Sequence, residues 1–187
     1  MKEADIFEML IEHELAVGHL YEALAQTVKE REHLWRALAE DEMRHAKWLR
    51  TLHEVTRASK CSWAGTRLRA QAIRTSISYV EKLIERAKRG GFTLLQALSV
   101  AGDLENALLE RQFSKLKDSA PAEIRPLLTR LAEETERHQK LVSKALDSER
   151  RRDDQARGLT GSEEIHGGRN SAKGTESIID DEAGRVA

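Results

Sequence analysis

Apolar residues recur every three to four positions over most of the first 150 residues, and breaks in that period divide them into five helical segments. The first, about Glu3 to Gln26, has the stripe Ile6, Phe7, Leu10, Ile11, Leu15, Val17, Leu20, Leu24 and Ala25. Glu14 and Tyr21 interrupt it. They are seven apart, nearly eclipsed on one helix face, so both are expected to point inward. Thr27 to Glu32 is a charged break. The second segment, about Glu32 to Thr56, turns Leu34 or Trp35, Leu38, Glu42, His45, Leu49 and Leu52 inward, and the short break makes the pair an antiparallel hairpin.

Arg57 to Gly65 has no period and reads as a connection. Thr66 to Arg89 regains one through Leu68, Ala72, Ile73, Ile77, Val80, Leu83, Ile84 and Ala87, and Gly90-Gly91 stops it. Thr93 and Gln96 form a capping box that opens a fourth helix, running to about Lys117. Its stripe of Leu94, Leu98, Ala101, Leu104, Leu108, Leu109, Phe113 and Leu116 is interrupted by Glu105. Pro121 and Pro126 mark a turn, and a last helix starts at one of them and ends near Ser148. Leu127, Leu131, Thr135, His138, Leu141 and Val142 are its inward positions. After Arg150 the period is lost and six of the eleven glycines appear, so residues 1–150 read as one helical domain and 151–187 as a disordered tail. Ile178-Ile179 could serve as a docking motif there, although a solvated linker is the plainer reading.

The composition agrees with an all-α chain: 34% of residues are charged, 4% aromatic, and two are proline. A formal charge of -1 provides no basic field for nucleic acid or acidic membranes. No uncharged apolar run approaches the roughly 20 residues that span a bilayer. The start, Met-Lys-Glu-Ala-Asp, lacks a signal peptide's pattern, so a cytoplasmic protein is expected. Cys61 alone permits no internal disulfide and no four-cysteine metal site.

The chemistry lies in the interruptions. Burying a charged carboxylate costs several kcal/mol, comparable to a domain's whole stability, so Glu42 beside His45 needs compensation. A metal ion is the commonest compensation for an inward Glu-x-x-His pair, and a hydrogen bond between the two side chains is the simpler alternative. The motif also repeats. Leu38 to His45 aligns without gaps on Leu131 to His138, with five identities in eight. Glu14 precedes Glu42 by 28 residues and Glu105 precedes Thr135 by 30. With turns near Val28 and Ala120, all four positions lie about 21 Å from a turn, in one layer. His13, His19, His33 and His53 fall off the inward face.

A glutamate from each of two helices and Glu-x-x-His from each of two others is the di-iron carboxylate arrangement. With Glu14, Tyr21 and the extra third segment, residues 1–148 resemble the ferritin-like superfamily, and within it the rubrerythrin-like proteins. The resemblance implies a four-helix bundle of two antiparallel hairpins joined by a long crossover, about residues 66–89. It implies iron held by Glu14, Glu42, His45, Glu105 and His138, with Tyr21 as a further donor to a carboxylate or a radical relay, and reduction of peroxide or dioxygen. It also implies a homodimer or higher oligomer. Manganese suits the same ligands.

The departures are specific. Thr135 stands where the pattern has a fourth glutamate, which leaves two ions or one; Glu134 and Glu136 are each about 100° away round the helix. Gln112 stands where a second tyrosine would be. No rubredoxin-type cysteines are present, so electrons would come from a separate donor protein. Metal handling without turnover and a metal-free helical scaffold are the alternative readings.

Overall fold

The computed structural model describes residues 6–58, 70–106 and 122–158, and among them every regular element is helical. They form α1 (Ile6–Thr27), α2 (Glu32–Ala58), α3 (Ala70–Lys88), α4 (Leu94–Glu105) and α5 (Arg125–Ala156), with a 3-10 turn at Lys29–Arg31. No helix is long and apolar enough to cross a membrane among these residues. The expected continuation of the fourth helix to Lys117, with Gln112, and Cys61, Leu68, Pro121 and Ile178-Ile179 lie outside the described residues.

The break after α1 is as short as the charge pattern suggests, and α1 and α2 run antiparallel. Glu8 approaches His53, and Glu14 approaches His45. The third helix lies along α1 in the same direction: Ile73 and Ile77 share a core with Met9 to Ile11, whereas Val80, Leu83 and Ala87 share one with Ala16 to Ala25. It thus returns the chain from the end of α2 to the end where α2 began. Gly90 stops it in a left-handed conformation, φ 67°, that a side chain would strain. Thr93 then caps α4 in a reciprocal capping box with Gln96. The fourth helix consequently runs parallel to α2, and α5 returns antiparallel to both, with Glu105 beside His138.

Three positions differ from the periodic reading. Leu141 is 41% exposed, and Leu128 is buried where Leu127 was expected to be, with Leu127 half-buried. Both follow from the same cause: in α5 the inward line is Leu128, Leu131, Thr135, His138, Val142 and Ala145, a strict three-four alternation that leaves 127 and 141 to one side. Ala72 is exposed for the same reason in α3, whose inward line is Ile73, Ile77, Val80. The last helix also continues through Ala156, beyond the expected end near Ser148 and past the 150 boundary drawn for the domain. Its final turns are charged and largely exposed, so they carry little apolar period by which to see them.

The apolar core is in two parts. One cluster joins Ala16 to Val28, Trp35 to Ala39, the later turns of α3, most of α4, and Val142 and Ala145. The other joins Met9 to Ile11, Ala46 to Leu52, Ile73 and Ile77, and Ile124 to Leu131. Between them, at one level on four helices, lie buried Glu14, Asp41, Glu42, His45, Glu105, Thr135 and His138.

Candidate metal centre

Each helix brings its polar residue into this layer because the apolar residues on either side of it are locked into the two cores. Glu14 follows Met9 to Ile11 and precedes Val17; Glu42 and His45 lie between Leu38 and Leu49; His138 lies between Leu131 and Val142. Gly18 permits the close approach of α1 to α2 here, since a Cβ at that position would sit 3.3 Å from Glu42 Cβ. All five expected ligand residues and Tyr21 come together.

Glu42 is at the centre. Its Oε2 is 3.0 Å from His45 Nδ1 and its Oε1 is 3.1 Å from His138 Nδ1, so one carboxylate spans two imidazoles. On the first side Glu14 Oε2 is 3.5 Å from His45 Nδ1; on the second, Glu105 Oε2 is 3.6 Å from His138 Nδ1. The His45 and His138 rings are 5.2 Å apart. Tyr21 donates a 2.6 Å hydrogen bond to the other oxygen of Glu105, and its ring stacks on buried Trp35. Thr135 is buried at the same level and contributes no carboxylate.

The outer nitrogens are held reciprocally. His45 Nε2 lies 3.2 Å from Glu134 Oε2 on α5, and His138 Nε2 lies 3.0 Å from Asp41 Oδ2 on α2. Arg44 pairs with both Asp41 and Glu134, the latter at 2.8 Å, and Arg137 pairs with Asp41. Asp41 and Glu134 are equivalent positions of the repeat, as are Arg44 and Arg137, so the two motifs brace each other. Glu134 stays away from the Thr135 position, as its place about 100° round the helix requires, and instead meets His45 at the outer nitrogen; Glu136 pairs with Lys140. The gapless alignment carried this signal in its matched acid and arginine positions.

Two histidines expected at the surface are buried. His13 is covered by α3, where its Nε2 lies 2.9 Å from Ser76 Oγ, and His53 stacks on Phe7 with ring centroids 5.2 Å apart. The periodicity of α1 alone does not show the face that α3 covers, where His13 lies, nor that of α2 alone the side of His53 that Phe7 of α1 covers. His19 and His33 are exposed.

Burial opposes charge throughout this layer, and the pairings decide which groups carry it. Burial lowers the basicity of His45, but hydrogen bonding to Glu14 and Glu42 overrides it and raises the group to about 11. His138 rises to about 10 against the same opposition, through Glu105 and Glu42. Burial pushes Glu42 up to about 7 despite its two histidines, with Glu14 nearby adding to the rise. Burial would raise Glu14, but the nearness of His13, His45 and Glu42 outweighs it and keeps the carboxyl below the usual range. Asp41 is likewise brought down to about 2, against burial, by Arg137, His138 and Arg44. Protons on imidazoles thus supply the positive charge these carboxylates require in the metal-free protein.

The donor set fits a metal ion. Ligand atoms about 2.1 Å from one ion at right angles are about 3 Å apart, near the separations found on each side of Glu42. Glu42, His45 and His138 are all buried, each with a ligand atom within 4.8 Å of the others. Buried His138 Nδ1 lacks a well-directed hydrogen bond, as a nitrogen placed to coordinate would. No family model, curated protein or solved structure matches the chain.

Proposed function

We propose that the protein is a ferritin-like, rubrerythrin-like non-haem iron oxidoreductase that reduces peroxide or dioxygen. The observation that carries this reading is the division of Glu42 between His45 and His138, one carboxylate oxygen to each Nδ1. Glu42, Glu14 and His45 would hold an ion on one side and Glu42, Glu105 and His138 one on the other. The helix directions described above suit the same fold, α3 serving as the crossover.

Two ferrous ions held here would supply the two electrons that reduce peroxide, one from each as it becomes ferric. The chain's own contribution is to fix the ligands and exclude water. Asp41 and Glu134 orient the imidazoles through their outer nitrogens, and Tyr21 orients Glu105 and holds a proton within reach of the site. Electrons would come from an external donor protein, and the working form would be a homodimer or higher oligomer.

Thr135 favours a second reading, in which one or two ions of iron or manganese are held without turnover. Stoichiometric hydrogen peroxide added to the ferrous-loaded, oxygen-free protein separates the two. Enzymatic peroxide reduction predicts rapid oxidation and repeated turnover when a reductant is supplied; metal uptake without faster peroxide loss than free iron overturns the oxidoreductase reading and leaves metal handling.

A further inference from the structure

Beside the proposed metal site, on the face of α1 that α3 covers, lies His13. It is 2% exposed, belongs to neither core cluster, and its Nδ1 lies 3.8 Å from Glu14 Oε1. Neither atom has a hydrogen-bond partner among the described residues. Two buried orphans facing each other at slightly more than hydrogen-bond distance are a bond awaiting a small movement of the carboxylate. On the other side of the ring, Ser76 Oγ of α3 sits 2.9 Å from Nε2. A serine hydroxyl donating there makes Nε2 the acceptor and places the ring proton on Nδ1, directed at Glu14.

The opposite carboxylate has a formed bond of the same kind. Tyr21, also from α1, holds the outer oxygen of Glu105 at 2.6 Å. Each terminal carboxylate therefore has one oxygen toward an imidazole of the metal layer and the other toward a side chain of α1. We propose that His13 is a positioning residue for Glu14: its Nδ1–H holds the outer carboxylate oxygen, and Ser76 fixes the tautomer that makes this possible. The role rests on the metal-site reading above, and it ties the crossover helix to that site.

The isosteric amides separate positioning from mere packing, because asparagine reproduces the Nδ1 position of histidine and glutamine the Nε2 position. Manganese titrations of the metal-free full-length chain, with cobalt absorption spectra as a second readout, compare wild type with His13→Asn, His13→Gln and Ser76→Ala. Positioning predicts that His13→Gln weakens manganese binding by roughly 10–100-fold and alters the cobalt spectrum, as loss of an outer hydrogen bond to a ligand does. His13→Asn should recover most of the affinity, and Ser76→Ala, at a half-buried position and compatible with folding, should show a smaller loss of the same kind. Equal affinity and spectra in wild type, His13→Gln and Ser76→Ala overturn the positioning role and leave the metal site intact. Failure of the wild-type chain to bind manganese or cobalt overturns both.

Discussion

At the scale of single residues, the layer is a problem of charge. The metal-free protein answers it with protons on His45 and His138, whose raised pKa values of about 11 and 10 make the sign of its pH dependence definite. Both groups are more basic folded than the ordinary value near 6.5. Their contribution to stability is full below that value and is lost as pH rises through about 10 to 11. Thermal unfolding of the metal-free chain should accordingly show a falling melting temperature between pH 9 and 11 that His45→Gln diminishes; an unchanged slope would contradict the assignment. Metal binding must displace the same protons, and the one on Glu42 below about pH 7. Calorimetric titration with manganese in buffers of different ionisation enthalpy should therefore report net proton release, and affinity should rise with pH. Thr135 gives a third test: Thr135→Glu adds the missing carboxylate at a buried position of the layer and should raise metal occupancy toward two ions per chain. No gain would count against the pseudo-symmetric placement.

At the scale of elements, packing and chemistry are separable. Leu131 lies wholly buried in the cluster below the layer, so Leu131→Ala should destabilise by about 2–5 kcal/mol in denaturant unfolding, through lost transfer energy and a cavity. Gly18→Ala should behave otherwise. Alanine improves helix propensity by about 1 kcal/mol. Its Cβ would press on Glu42 Cβ at 3.3 Å and on the movable methyl of Met43 at 2.9 Å. The melting temperature should change little while manganese affinity falls, since the carboxylate shared by both histidines is what shifts. The helices themselves were legible from periodicity, as were their caps at Thr93 and Gly90 and the inward placing of Glu14, Tyr21, Glu42, His45, Glu105, Thr135 and His138. What a single-helix pattern could not carry was contact made by a third element. His13 appears outward on α1 alone and is buried only because α3 covers it. The reach of Glu134 depends on how closely α5 approaches α2, a distance that no spacing along one helix encodes.

At the scale of the whole molecule, two apolar clusters enclose one polar layer, and each explains the other. The clusters fix the rotation of every helix, and that rotation delivers three carboxylates and two imidazoles to one point. The internal repeat then accounts for the near-symmetry of the inner carboxylate–imidazole contacts and of the reciprocal acid–histidine pairs outside them. Well-packed apolar residues in place of a buried ionic network are commonly as stable or more so, so stability alone does not account for this convergence. The most direct test is the metal content of the full chain purified from cells supplied with iron and manganese, compared with Glu42→Ala. The account predicts about one to two ions per chain in the wild type and loss of most of them in the variant; less than about a tenth of an ion in the wild type, where an intact site should retain its metal, would contradict it.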